Sequence, residues 1–464
     1  MKFNIILITI SSILFSSCFK DVNNDPTRTN DAGVAQILPG LEAQSARNLG
    51  AIGARVTGCV IQQYVGLNNQ PAGYSTYEID EVTLNEFWRT GLYGGAMKDC
   101  ADMMVKVKKL NAPYYAGISK LLMAFNLGLA TSCWGDVPYA KAFEGEANLT
   151  PAYDAQSVVY DSIQSLLDQS IDDFKKPTGT INPTADDLIF KGDAKKWLET
   201  ARALKARYYM HLSKRDLNAA SKVISILTQG TILSNAAQPN FPFENTTNGA
   251  NPIASFGVQR PGQLALGKPL VDLLVQKSDP RLSRYTRLVS GNYVVYSATA
   301  PIMFWAQNNS PLPLISFAEV KFLLAEAYLR SGDEPKALLE LSNAIKASME
   351  SVGLLPVDYT AYLNTNGNFT GLSTFAQKLN RIMEQKYIAM YAQGTFEAWV
   401  DYRRTGTPLL VPPTGAQTSF NPSKVIPRRY LYPISERIAN GTNMNAAIQI
   451  QNGHLMDVNT WSLK

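Results

Sequence analysis

Apolar residues recur at steps of three and four along most of the chain, and long stretches between these runs break the rhythm. From Tyr114 to Cys133, the positions Ile118, Leu121, Leu122, Phe125 and Leu129 share one helical face. The same period runs from Val158 to Phe174, from Ala194 to Leu212 (opening at Asp193) and from Ala219 to Leu227. It continues in a pair, Ser316 to Arg330 and Glu334 to Met349, around Gly332-Asp333, and in Phe375 to Tyr391. A Gly-rich early helix is expected from Gly33 to about Tyr64. Strand-type alternation is scarce, and no strand–helix–strand order is visible.

The Ser316 to Met349 pair fits the spacing of a tetratricopeptide repeat. Leu324, Ala325, Tyr328, Ala337, Leu341 and Ala344 fall where that pattern places them, with Lys321 in place of the usual Trp. Small residues at 325 and 337 let two helices approach closely. Trp197 with Ala201, followed by the Ala219-Ala220 helix, reads as a degenerate second copy; the alternative is an ordinary antiparallel pair. The expected fold is therefore mainly α, a single TPR-like right-handed scaffold of helical pairs with long irregular loop insertions. Those insertions are 66–86, 234–262 and 293–313, rich in Asn, Pro, Tyr, Phe and Trp. Loops of this length in a compact protein are usually functional.

The amino end has its own character. Met1-Lys2 precedes an apolar run from Phe3 to Phe15 and then Ser16-Ser17-Cys18. The run is shorter than the roughly 20 residues needed to span a bilayer and reads as a secretory signal peptide. Small residues before Cys18 resemble a bacterial lipobox, with Phe15 where Leu is usual; the alternative is a plain secreted protein. Residues 1–17 are then the leader, 18–31 the lipidated Cys18 with a polar tether, and 32–464 a single helical domain. Cys59, Cys100 and Cys133 make no disulfide framework and read as buried small hydrophobes, with one chance pairing open.

Composition narrows the chemistry. Charged residues are only 17%, and 43 Lys and Arg nearly balance 38 Asp and Glu, which argues against a nucleic-acid partner. Polar surface must come largely from Asn, Gln, Ser, Thr and Tyr, groups suited to a neutral polar ligand. There are two histidines, His211 at a helix end and His454 near the tail, so a metal centre or His-based catalysis has little support. No nucleophile elbow, Walker loop or dinucleotide fingerprint occurs. Paired acids such as Asp172-Asp173 and Asp186-Asp187 read as solvated faces, with glycoside hydrolysis the lesser alternative. No catalytic residue and no cofactor is expected.

Several local motifs occur in a fixed order: Cys133-Trp134-Gly135-Asp136-Val137-Pro138-Tyr139, Ala325-Glu326-Ala327-Tyr328, Glu397-Ala398-Trp399, Arg403-Arg404-Thr405-Gly406-Thr407-Pro408, and Pro427-Arg428-Arg429 with Leu431-Tyr432-Pro433, Glu436 and Asn440. Together they resemble the SusD/RagB family over nearly the whole mature chain. The resemblance implies a surface-exposed, lipid-anchored outer-membrane protein of Bacteroidetes-type bacteria. Such a protein captures nutrients, most often oligosaccharides, as the lid of a SusC-like TonB-dependent transporter. Peptides or another nutrient are the alternative ligand, and a TPR-type protein-assembly scaffold is a further class.

The motifs themselves read as scaffold. Gly135 and Pro138 end one helix, and Gly406 and Pro408 another, with Arg403 and Arg404 suiting its carboxyl end and Glu397 placed to pair with one of them. Ligand contact is expected in the insertions, where aromatic rings and amides lie together. Asn68, Asn69, Tyr74, Tyr77 and Trp88 satisfy this in one segment, and Tyr296, Trp305 and Asn308, with Asn309, in another. Trp88 is read equally as core, Tyr64 is expected to pack, and Arg260 is a weaker candidate.

Overall fold

The computed structural model describes residues 32–296 and 303–464; the leader, Cys18 and the 18–31 tether lie outside the described residues. The fold is mainly helical. Met97–Val107, Pro113–Trp134, Gln156–Lys175, Ala194–His211 and Ala219–Thr228 each pack on the next. The last of them meets Phe317–Arg330, which pairs with Glu334–Ser351 and lies against Phe375–Ala389. Neighbour-on-neighbour packing of this kind lets each helix bury its apolar stripe without a central sheet.

Pro113–Trp134 forms the spine. Proline opens it at the first turn, where no N–H is missed, and nearly every side chain from Gly117 onward is buried. Glycine at 128 allows close crossing: a Cβ there would lie 2.1 Å from the Tyr208 hydroxyl of Ala194–His211. Asp193 caps that second helix by accepting from the backbone N–H of Lys195 and Lys196 at 3.1 Å. In the pair flanking Gly332, Ala325, Ala337, Leu341 and Ala344 are fully buried, as their small-and-large alternation predicts, while Tyr328 stays half-buried.

Charged groups join the stacked helices from inside. Arg207 grips both oxygens of Glu319 at 2.7 Å. Arg404 bonds both oxygens of Glu326 and reaches Asp401 at 2.6 Å, and Lys386 meets Asp401 at 2.7 Å. Glu397 does not pair with Arg403 or Arg404, as its proximity in the sequence suggested. It faces the other way, to His211 at 2.7 Å and Arg207 at 3.7 Å, because a residue six or seven places along a helix lies about two turns away.

Two other expectations are corrected. The early helix is two, Val34–Asn48 and Ile52–Val60, broken where a Cβ at Gly50 would approach Leu312 Cδ1 to 2.9 Å. The insertions are also less irregular than their composition suggests. They contain the helices Asn69–Ser75 and Pro252–Gln259, and a four-stranded antiparallel sheet borders them in the order Tyr64–Gly66, Leu264–Leu266, Asn292–Val294, Arg287–Val289. Strands of two or three residues leave no readable alternation. Cys59, Cys100 and Cys133 are buried and unpaired.

Candidate ligand-binding face

The small sheet draws the separate insertions together. Tyr64 faces Leu266 and Gly66 faces Leu264 across the first ladder; Ala265 faces Val294 across the second. The pairing continues one step as Leu67 N–H donates to Gln263 O at 2.9 Å. Asn68 and Asn69 therefore emerge exposed from the end of the first strand. Tyr296 leaves the third strand half-buried, its Cβ packed so closely on Gly257 that a side chain there would lie 2.4 Å away.

Behind this edge, Arg55 of Ile52–Val60 reaches toward Pro252–Gln259 and lays its guanidinium over the Phe256 ring, 3.9 Å from the centroid. Burial lowers the Arg55 pKa from its ordinary value, and the same burial raises that of the adjacent Tyr74 hydroxyl. Arg55 Nε has no hydrogen-bond acceptor. Two narrow recesses of about 10 Å³ each, one at Arg55, Phe256 and Val295 and one at Phe256, Arg260 and Tyr296, adjoin here, so any sugar contact falls on the surface around them. Tyr74 is buried, at 6% exposed, so the sheet edge offers the Tyr296 ring, the Asn68 and Asn69 amides and the Arg55 guanidinium, groups of the kind that meet the apolar faces and hydroxyls of a sugar.

A roomier cleft of about 680 Å³ lies on the other side of the Tyr64–Gly66 strand, between Lys268–Gln276 and residues 408–413. Its walls are chiefly aliphatic (Val65, Leu273, Leu410, Val411), and Tyr64 is its one aromatic lining residue. Gln62 donates to Val411 O at 2.7 Å and ties the 408–413 strap across it.

The remaining sequence candidates are placed elsewhere. Tyr77 is fully buried, its hydroxyl donating to Val60 O at 3.3 Å. Trp88 is core: its indole N–H donates to Glu436 at 3.2 Å and its ring stands edge-on to Trp134 at 4.9 Å. Trp305 is 4% exposed and stacks edge-to-face on Phe304, contrary to the sequence expectation, whereas Trp88 takes the core alternative that the sequence left open. Burying a large apolar ring outweighs the polar character of its neighbours in sequence. Asn308 is half-exposed and its carbonyl accepts from Asn251 N–H at 2.7 Å. Arg55 and Phe256 were missed; the available signal was a lone charge within the apolar run Ile52 to Val60.

The ordered motifs form a different place, the closure of the scaffold. Trp134 Nε1 donates to Leu431 O at 2.8 Å, Tyr430 N–H to Cys133 O at 2.9 Å, and Trp399 Nε1 to Pro427 O at 2.7 Å. Gly135 takes φ 84°, where a side chain would be strained, and the Tyr432 hydroxyl donates to Asp136 O at 2.6 Å. Arg403 stacks on Trp399 at 3.7 Å and donates to Ser132 O and Arg428 O at 2.9 and 2.8 Å.

This architecture belongs to a known class of binding protein. A family model described as starch-binding and associating with the outer membrane, SusD-like, matches residues 27–433, and the chain belongs to that family. Its fold is similar to a SusD/RagB family protein from Bacteroides thetaiotaomicron, at 24% identity and TM-score 0.73, with 93% of this chain and 99% of that one covered. A SusD homolog from Bacteroides uniformis aligns at 21% identity and TM-score 0.78 over 94% of this chain and all of that one. A chitin-binding protein aligns at 21% identity and TM-score 0.76 over 93% and 100%. No curated protein sequence matches. The SusD/RagB resemblance of the motifs is thereby shown; members of the family are binding proteins associated with the outer membrane, not enzymes.

Proposed function

We propose that the protein captures oligosaccharides at the edge of the small sheet and serves, anchored through Cys18 on the outer face of the outer membrane, as the lid of a SusC-like TonB-dependent transporter. The nearness of Tyr296, Asn68, Asn69 and Arg55 along the small sheet, from segments far apart in sequence, supports the ligand reading. Family membership supports the membrane association. The aliphatic cleft beside the 408–413 strap offers a sugar fewer ring faces and is the lesser candidate.

Isothermal titration of the soluble domain against a glycan panel tests the reading. Tyr296→Ala and Asn68→Ala are each expected to weaken the best ligand by about tenfold, or roughly 1.4 kcal/mol. Unchanged affinity in both variants would refute the site; binding of peptides and of no glycan would move the ligand to the peptide class. Cys18→Ala is expected to release the protein from membranes, and retention would refute the anchor.

A further inference from the structure

We propose that Glu42 and Asp187 share a single proton at neutral pH, and that this carboxyl–carboxylate pair is a pH-sensitive latch fastening the helix Val34–Asn48 to the 183–193 loop.

The geometry leaves Glu42 half satisfied. Its side chain is fully buried; Oε2 accepts from the Leu188 N–H at 2.8 Å, and Oε1 has no hydrogen-bond partner. The Leu188 nitrogen is bonded to the Asp187 carbonyl carbon, so this one contact sets the Glu42 carboxyl beside Asp187, which is fully buried too. Four donors hold Asp187 as the anion. Its Oδ1 accepts from the Ile189 and Phe190 N–H at 3.0 and 2.9 Å, and its Oδ2 from the Gly192 N–H at 2.7 Å and the Trp197 indole at 2.8 Å. Two buried carboxyls side by side do not both ionise, and the one with fewer donors keeps the proton. As a carboxylic acid, Glu42 gains an O–H that can be given to Asp187, which satisfies the oxygen an ionised Glu42 would leave orphaned.

The surroundings add acid and not base. Burial first, then Asp187 and Asp186, push the Glu42 pKa well above the usual carboxylate range, against the pull of the Leu188 N–H. Asp186 takes the Tyr115 hydroxyl of Pro113–Trp134 at 2.7 Å and the Thr184 N–H at 2.9 Å. On the loop itself, Lys191 is exposed and Asp193 caps the following helix. Charged groups of the other elements packed on Val34–Asn48 are engaged elsewhere: Asp99 with Asp102 and Lys98 of its own helix, Arg89 with Glu86 at 3.8 Å, and Arg55 on the Phe256 ring. Arg47, on the same helix as Glu42, donates to Asn248 O at 3.3 Å. Because the folded pKa lies above the unfolded value of about 4.3, the latch is complete below that value and is lost as pH rises through the folded one.

The test uses the full-length protein in detergent micelles, unfolded with guanidinium from about pH 5 to about pH 9 beside Glu42→Gln, whose amide keeps a donor toward Asp187 at every pH. The unfolding constant of the wild type is expected to rise relative to that of the variant by up to about tenfold per pH unit until Glu42 ionises, leaving the variant the more stable protein at the alkaline end. Infrared spectra of the wild type at pH 6 should contain a protonated-carboxyl stretch that the variant lacks. Hydrogen exchange, corrected for its intrinsic pH dependence, should show the Leu188 and Ile189 amides losing protection over the same interval in the wild type alone. Parallel pH profiles, or a variant weakened by the same factor at every pH, overturn the proposal, as does protection that stays constant while Glu42 ionises. Stabilisation of the wild type by added calcium, with no protonated-carboxyl stretch, would mean that a cation bridges the pair and also overturns it. If Glu42→Gln does not fold, the stretch is sought in wild-type protein carrying ¹³C at the glutamate carboxyls: an isotope-shifted band at pH 6 supports the shared proton, and its absence overturns it.

Discussion

Replacing Arg404 by methionine asks how far the internal ion network holds the helices together. Arg404 and Glu326 are both fully buried. Deleting one member of such a pair leaves a stranded charge and costs about 3 to 5 kcal/mol. Here the lower end applies, because Glu326 keeps Arg330 at 2.8 Å and Asp401 keeps Lys386 at 2.7 Å. The carboxyl itself supports that size. Burial pushes the Glu326 pKa up, but Arg404 and then Arg330 pull it down to about 2. Against an unfolded value of about 4.3, at about 1.4 kcal/mol per unit, this corresponds to roughly 3 kcal/mol at neutral pH. Guanidinium unfolding followed by tryptophan fluorescence should show Arg404→Met less stable by about 3 kcal/mol, with part of the loss recovered in Arg404→Met/Glu326→Gln, where the stranded charge is also gone. Because the folded pKa lies below the unfolded one, the contribution is complete above about pH 5 and is lost as pH falls toward 2. Glu326→Gln should lack that part of the acid slope. A cost for Arg404→Met below about 1 kcal/mol, the level of an exposed pair, would refute the reasoning.

Two further outcomes follow from burial. Trp88→Phe removes the indole donor to Glu436 and should cost about 1.5 to 3 kcal/mol in the same unfolding experiment while leaving glycan affinity unchanged; a loss of affinity without loss of stability would put Trp88 back at the ligand. Cys59, whose thiol is pushed up to about 12 by burial, should resist iodoacetamide at pH 8 in the native protein, along with buried Cys100 and Cys133, and all three should react after unfolding, as read by mass spectrometry.

The long helices were legible because their signal is local: periodicity for Pro113–Trp134, the cap at Asp193, and the turn at Gly332 with small residues around it. What the rings in the insertions do was not legible. Trp88 finds Glu436, 348 positions away, and Tyr74 lies against Arg55 on a different element. Local composition cannot distinguish an aromatic residue awaiting a ligand from one awaiting a distant part of its own chain. The same limit applied to Glu397, where closeness in sequence suggested Arg403 or Arg404 and helix geometry delivered His211. The proposed face was half visible, in Asn68, Asn69 and Tyr296; Arg55 was hidden because its contact with Phe256 joins elements far apart in the sequence.

The closure of Trp134 and Cys133 by Leu431 and Tyr430 also sets the order of assembly. These contacts span 297 residues, so the spine helix can form early but its indole N–H waits for an acceptor that is synthesised long after it. Closing so long a loop is slow, and native locking must follow local helix formation. A chain that stops short of Tyr430 leaves the carboxyl end of the spine helix without these two hydrogen-bond partners, so the helix and the last loops lock as one unit.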